Sequence, residues 1–172
     1  VLFRSLPNSD PVHKISIIPR SYGALGYVLQ RPDDDKHLVT KSELDSRIKV
    51  ALGGTLAEEL IYREISTGAT SDLNNCNSIA RRMVKEFGMS RMGKIFYRES
   101  SGSQYLPSAF GGMPDRDFSE QTAREIDMEV RKIVDDATQE VRSILDARKP
   151  ALEAIAKCLD RKSTRLNSSH RT

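Results

Sequence analysis

The chain has two cysteines, three histidines and no long apolar run, and each shortage excludes something. Cys76 and Cys158 form neither a metal-binding spacing nor a disulfide framework, so a reducing compartment is the default. No stretch approaches the roughly 18 consecutive apolar residues of a membrane span. No glycine-rich phosphate loop occurs. No serine or cysteine sits in a recognisable nucleophile motif. Neither His13 nor His37 has a histidine four residues away, so neither begins a helical zinc pair, and both read as structural or exposed. There is no internal repeat. What remains is 172 residues, 38% hydrophobic and 30% charged, a composition that suits one soluble globular domain.

The formal charge of +3 comes from the ends. Residues 160–170 match, residue for residue, the translation of a common short-read sequencing adapter, and residues 1–5 match the same adapter read on the other strand. Segments 1–5 and 160–172 are therefore expected to be foreign, leaving 6–159 as the genuine domain and as an internal piece of something longer. The foreign segments hold Arg4, Arg161, Lys162, Arg165 and Arg171 against Asp160, so without them 22 basic residues face 23 acidic ones, a net charge of −1. That balance gives no argument for a nucleic-acid partner.

Residues 12–18 are rich in β-branched side chains and end at Pro19, and residues 25–30 form a second strand-like run; together they predict a small β element. Residues 6–11, 21–24 and 31–36 have turn or loop composition. Thr40 with Glu43 three residues on is a capping box, and Leu44, Ile48, Leu52, Leu56 and Leu60 follow at every fourth position, predicting a helix over 41–62. Gly53-Gly54 inside this pattern implies a kink or close approach by another backbone, each glycine costing about 1 kcal/mol relative to alanine. A second helix is predicted over 72–87, capped by Ser71 or Asp72, with Leu73, Cys76, Ile79, Ala80, Met83, Val84 and Phe87 inward and Arg81, Arg82 and Lys85 solvated; Gly88 would stop it. Residues 98–118 read as an irregular loop. Ser119 caps a third helix over 119–147 with Ile126, Val130, Ile133, Ala137, Val141 and Ile144 inward, and Pro150 opens a fourth over 150–159. The predicted fold is mainly α.

The side chains left to carry chemistry are Asp72, in a short small-residue turn between two helices, and the pair Glu58-Glu59. Periodicity places Glu59 near the middle of the apolar stripe and Glu58 at its edge, and a carboxylate on or beside a buried face needs a partner.

Leu6-Pro-Asn-Ser-Asp-Pro-Val-His-Lys-Ile-Ser-Ile-Ile-Pro-Arg20, Ala24-Leu-Gly-Tyr27, Leu52-Gly-Gly-Thr-Leu-Ala-Glu-Glu-Leu60, Ser66-Thr-Gly-Ala-Thr-Ser-Asp-Leu73, Ala80-Arg-Arg-Met-Val84, Phe87-Gly-Met-Ser90 and Thr122-Ala-Arg-Glu-Ile-Asp127 resemble, in order, the peptidase domain of the FtsH family of ATP-dependent zinc metallopeptidases, family M41. The resemblance runs from Leu6 to about Leu159. It implies a helical metallopeptidase domain that follows an AAA+ ATPase module and membrane-spanning segments, assembles as a homo-hexamer, and degrades unfolded and membrane proteins. It implies zinc held by two histidines of a His-Glu-x-x-His helix and by Asp72, with Glu58 as the carboxylate supporting the histidines and Glu59 as its competitor.

The His-Glu-x-x-His helix should lie just before Leu6 and is absent from the sequence, so the resemblance assigns no catalytic residue to this chain: the general-base glutamate lies outside it. ATP belongs to the parent protein only. The parent is expected to be membrane-anchored with its peptidase domain on the cytoplasmic side; the chain itself is expected to be soluble, to touch no membrane and to be inactive alone. The alternative is a non-catalytic helical interaction module.

Overall fold

The structure, a computed structural model, describes residues 12–17, 27–30, 38–97 and 118–168, with side chains of the last segment described as far as Asp160. The loops expected at 6–11, 21–24, 31–36 and 98–117, His37, and the segment 1–5 expected to be foreign lie outside the described residues.

Strands β1 (Val12–Ser16) and β2 (Tyr27–Gln30) form a two-stranded antiparallel sheet. Ile15 lies opposite Val28 and Lys14 opposite Leu29, and the register slips between Val12 and Lys14, so His13 is the extra, exposed residue. The other long elements among the described residues are helices: α1 (Lys41–Tyr62), α2 (Thr70–Lys85), α3 (Glu120–Ala147) and α4 (Lys149–Ser168). The domain is mainly α with a small β element, as its sequence implies.

Helix α1 begins where its capping box puts it. The Thr40 hydroxyl accepts from Glu43 N–H at 3.3 Å, and the Glu43 carboxylate accepts from Thr40 N–H at 2.7 Å. The helix runs unbroken through Gly53-Gly54. Gly53 is buried, while Gly54 is exposed with open space where a side chain would be. No close approach occurs at Gly54.

The core joins three helices. Leu44, Ile48, Leu52 and Leu56 of α1 meet Cys76, Ala80, Met83 and Val84 of α2, and Ile126, Val130, Ala137, Val141 and Leu145 of α3. Helix α1 packs on both α2 and α3, which also pack on each other; α4 packs mainly on α3. On α3 the apolar stripe shifts slightly from the predicted one: Leu145 is buried, and Ile133 and Ile144 are half-buried. Leu73 and Phe87, predicted inward, are exposed: Leu73 lies in the first turn of α2 and Phe87 two residues past its end.

Three predicted features change. Helix α4 continues to Ser168, past the expected boundary at Leu159, because residues 160–168 contain no proline or glycine to stop it. Lys85 is buried rather than solvated, with its ammonium 5.8 Å from the centre of the Phe118 ring; a lysine stem can be covered while its charge finds a π face. Arg81 and Arg82 remain on the polar face, pairing with Asp127 at 3.1 Å and Glu86 at 3.0 Å. Helix α2 stops at Lys85, two residues early, with Gly88 at φ +59° and the Met89 N–H donating to Met83 O at 2.9 Å.

A side chain at Gly88 would have to adopt the left-handed conformation and would meet Lys94 Cα at 2.9 Å. Gly88→Ala is expected to destabilise the domain by at least ~1–2 kcal/mol, read from the urea unfolding midpoint.

Candidate metal centre at the turn between α1 and α2

Helix α1 ends at Arg63, which takes the left-handed conformation at φ 58° while its N–H donates to Glu59 O at 2.9 Å. The chain then enters a 3-10 turn, Thr67–Ala69. Ser66 accepts from Gly68 N–H at 3.3 Å, and the Thr70 hydroxyl donates to Thr67 O at 2.7 Å. These contacts start the helical path one turn earlier than predicted. The cap of α2 is Ala69, with no side-chain cap bond, and neither Ser71 nor Asp72 takes that role. Asp72 instead lies in the first turn of α2, where a carboxylate suits the positive end of the helix dipole.

The short connection makes α1 and α2 antiparallel, so the last turn of α1 and the first of α2 share one end of the pair. Asp72 is four residues before Cys76 and so shares its face, the face that carries the core. Asp72 is exposed, and its carboxylate has no hydrogen bond or ion pair among the described residues. Near the ends of the two helices Ile61, Tyr62, Ile65 and Leu73 are exposed.

Glu58 and Glu59 of α1 part ways. Both oxygens of Glu59 accept from the Arg142 guanidinium of α3, each at 3.0 Å. That bidentate pair is partly exposed, which keeps its value within about 1 kcal/mol. It sits over a cavity of about 300 Å³ lined by Leu56, Leu60 and Leu145 with Arg63 and Asp146 at the rim. This cavity lies between α1 and α3. Glu58 is half-buried and makes no hydrogen bond or ion pair among the described residues.

Sequence reasoning missed two side chains here. Thr55, half a stripe away from suspicion as a polar residue at helical spacing from Ile48, is buried with its hydroxyl unpartnered. It also missed Arg142, whose pairing with Glu59 needed the position of α3.

Zinc fits these residues only in part. A catalytic zinc site takes three protein donors and an open position. Asp72 offers one uncommitted carboxylate, and the unpaired hydroxyl of Thr55 is a polar group awaiting a partner. Among the described residues no three histidines, cysteines or carboxylates are grouped to hold an ion.

The carboxylate of Asp72 is felt one turn on. Burial first, and then Asp72, push the Cys76 thiol from its ordinary 9.0 to about 11, and the thiol donates to Ile48 O at 3.6 Å. The folded state favours the neutral thiol, so this stability is complete below pH 9 and is lost as pH rises through 11. Asp72→Asn should move the Cys76 ionisation downward in an ultraviolet thiolate titration, while exposed Cys158 alkylates readily in both proteins. An unmoved titration would show that the carboxylate does not face the thiol.

The whole pattern has close relatives. Peptidase family M41 matches residues 1–169. The ATP-dependent zinc metalloprotease FtsH of Pirellula staleyi is 56% identical over 152 residues, covering 88% of this chain and 22% of that protein. The corresponding protein of Syntrophobacter fumaroxidans is 47% identical over 155 residues, 90% of this chain and 24% of its own length. FtsH 3 of Petrotoga mobilis is 42% identical over 165 residues, 95% and 25%. The chain spans about a quarter of the length of these curated relatives. No helix among the described residues is long and apolar enough to cross a membrane. With its motifs in order and its helices where those motifs require them, the chain belongs to peptidase family M41, the family of the FtsH zinc metalloproteases.

Proposed function

We propose that the chain is the larger part of the peptidase domain of an ATP-dependent zinc metalloendopeptidase, with residues 6–159 as its domain and 1–5 and 160–172 as foreign ends. The observation that carries this reading is the Asp72 carboxylate, uncommitted in the first turn of α2 at the place the Ser-Thr-Gly-Ala-x-x-Asp motif assigns to a zinc ligand. Zinc, when bound, supplies Lewis-acid polarisation of a peptide carbonyl and activation of water.

The chain's own residues divide the remaining work. Asp72 gives one oxygen to the ion. Glu59 holds α1 to α3 through Arg142, which leaves Glu58 as the supporting carboxylate toward the ligating histidines. The turn 63–69 fixes the ends of α1 and α2 side by side, so the two carboxylates are placed by rigid helices rather than by a loop. The substrates are polypeptides, unfolded or membrane-embedded. ATP is used by a separate module of the parent protein, a homo-hexamer anchored in the membrane with this domain on the cytoplasmic side.

The 172 residues contain no His-Glu-x-x-His, so the chain alone is expected to hydrolyse no casein and to bind zinc at well under one ion per chain. The longer protein with its histidine helix should bind one zinc per chain in a calorimetric titration, and Asp72→Ala should remove most of that binding. Unchanged binding in Asp72→Ala would leave Asp72 as a first-turn acid only, and would favour the reading of the domain as a helical interaction module.

A further inference from the structure

The cavity between α1 and α3 has a divided lining. Leu56, Leu60 and Leu145 make it apolar, and Glu59, Arg63, Arg142 and Asp146 bring two carboxylates and two guanidinium groups to it. Its volume of about 300 Å³ lies at the small end of the range for small-molecule sites. Glu59 and Arg142 satisfy each other, both carboxylate oxygens accepting from the guanidinium at 3.0 Å. The other two charges are uncommitted. Arg63 and Asp146 are exposed, and neither side chain makes a hydrogen bond or ion pair among the described residues.

Both uncommitted charges sit where the backbone does not favour them. Arg63 ends α1 at φ 58°, a left-handed conformation that glycine takes more readily. Its backbone bond to Glu59 O needs no side chain and would survive replacement by glycine. Asp146 lies in the last turn of α3, where the helix dipole disfavours an anion and that turn holds no basic residue. Two separate local penalties therefore face one cavity. An ion of opposite sign would offset the second, and an anion would give the Arg63 side chain a reason to be there. The last turns of α1 and α3 both line the cavity, so the negative ends of two helix dipoles also favour a cationic group beside Asp146.

We propose that this cavity binds a free α-amino acid with a large apolar side chain. The side chain packs on Leu56, Leu60 and Leu145. The α-carboxylate accepts from the Arg63 guanidinium, and the α-ammonium donates to the Asp146 carboxylate. The charges decide the class of ligand. Those lining the cavity cancel, which suits a zwitterion better than an anionic amphiphile or a simple cation. An amino acid carries its ammonium and carboxylate on one carbon, matching an acid and a guanidinium on one rim, whereas a peptide carries them at opposite ends. The bound amino acid joins the C-terminal ends of α1 and α3. This inference is independent of the zinc reading.

Titration of L-leucine into the isotope-labelled 172-residue chain, followed through its amide chemical shifts, tests the proposal. Saturable shifts confined to residues 56–63 and 142–147 are expected, with a dissociation constant on the order of 1 mM. N-acetylleucine lacks the ammonium and leucinamide lacks the carboxylate, so each should bind about tenfold more weakly. Free glycine, with no side chain to bury, should give no saturable shift. Arg63→Gly and Asp146→Asn should each weaken leucine binding about tenfold and yet melt no lower than the parent sequence, because each removes a local penalty. Absence of saturable shifts with leucine, or shifts centred elsewhere, would overturn the proposal. N-acetylleucine binding as tightly as leucine would overturn it in favour of a chain's carboxyl end, and leucinamide doing so would overturn it in favour of an apolar amine. Unchanged leucine affinity in either variant, or a lowered melting temperature, would also overturn it, the latter by showing that the charge already has a structural partner.

Discussion

Ile48 is fully buried between two helices, and that double contact organises the domain. On one side its carbonyl accepts the Cys76 thiol of α2; toward the other, Lys49 and Glu59 of α1 reach Glu140 and Arg142 of α3. Burying a side chain of this size is worth about 1.5–3 kcal/mol, more than the exposed ion pairs that flank it. The charges fix which face of α3 meets α1, while the apolar stripe supplies the stabilisation. Because α1 is held from two sides, its last turn is rigid, and so is the turn that delivers Asp72.

Most of this frame was readable from residue spacing. The four-residue recurrence from Leu44 to Leu56 is the buried face of α1, and the capping box at Thr40 marks its first turn to the residue. The start of α2 was not readable in the same way. Sequence reasoning saw Ser71 and Asp72 before an apolar run and made one of them the cap, yet Ser66 and Thr70 build a 3-10 turn that takes over the start of the helix. Short hydroxyl-to-backbone contacts decide such boundaries, and their competition is invisible to periodicity. Lys85 fails for a different reason: an aromatic ring from distant Phe118 covers it, a tertiary effect no local pattern encodes.

The site shows the same division. The motif carrying Asp72 places it between two helices, and the structure adds that its carboxylate is not used as a cap. Periodicity could not separate Glu58 from Glu59 and leaned toward a buried role for Glu59. Geometry accounts for that leaning: Glu59 does face the packed side, where Arg142 neutralises it. Glu58, at the edge beside exposed Gly54, keeps its carboxylate uncommitted among the described residues. Thr55 went unnoticed because a single threonine in a leucine stripe reads as tolerated packing until its missing partner is seen.

The central claim is that Asp72 meets the zinc ion directly. Anomalous diffraction at the zinc absorption edge, on crystals of the longer protein with its histidine helix, tests it without recourse to any variant. The account predicts one anomalous peak per chain at the start of α2, with an Asp72 carboxylate oxygen at about 2.0–2.2 Å. A peak whose ligands exclude Asp72, or include Glu59 in its place, would contradict it.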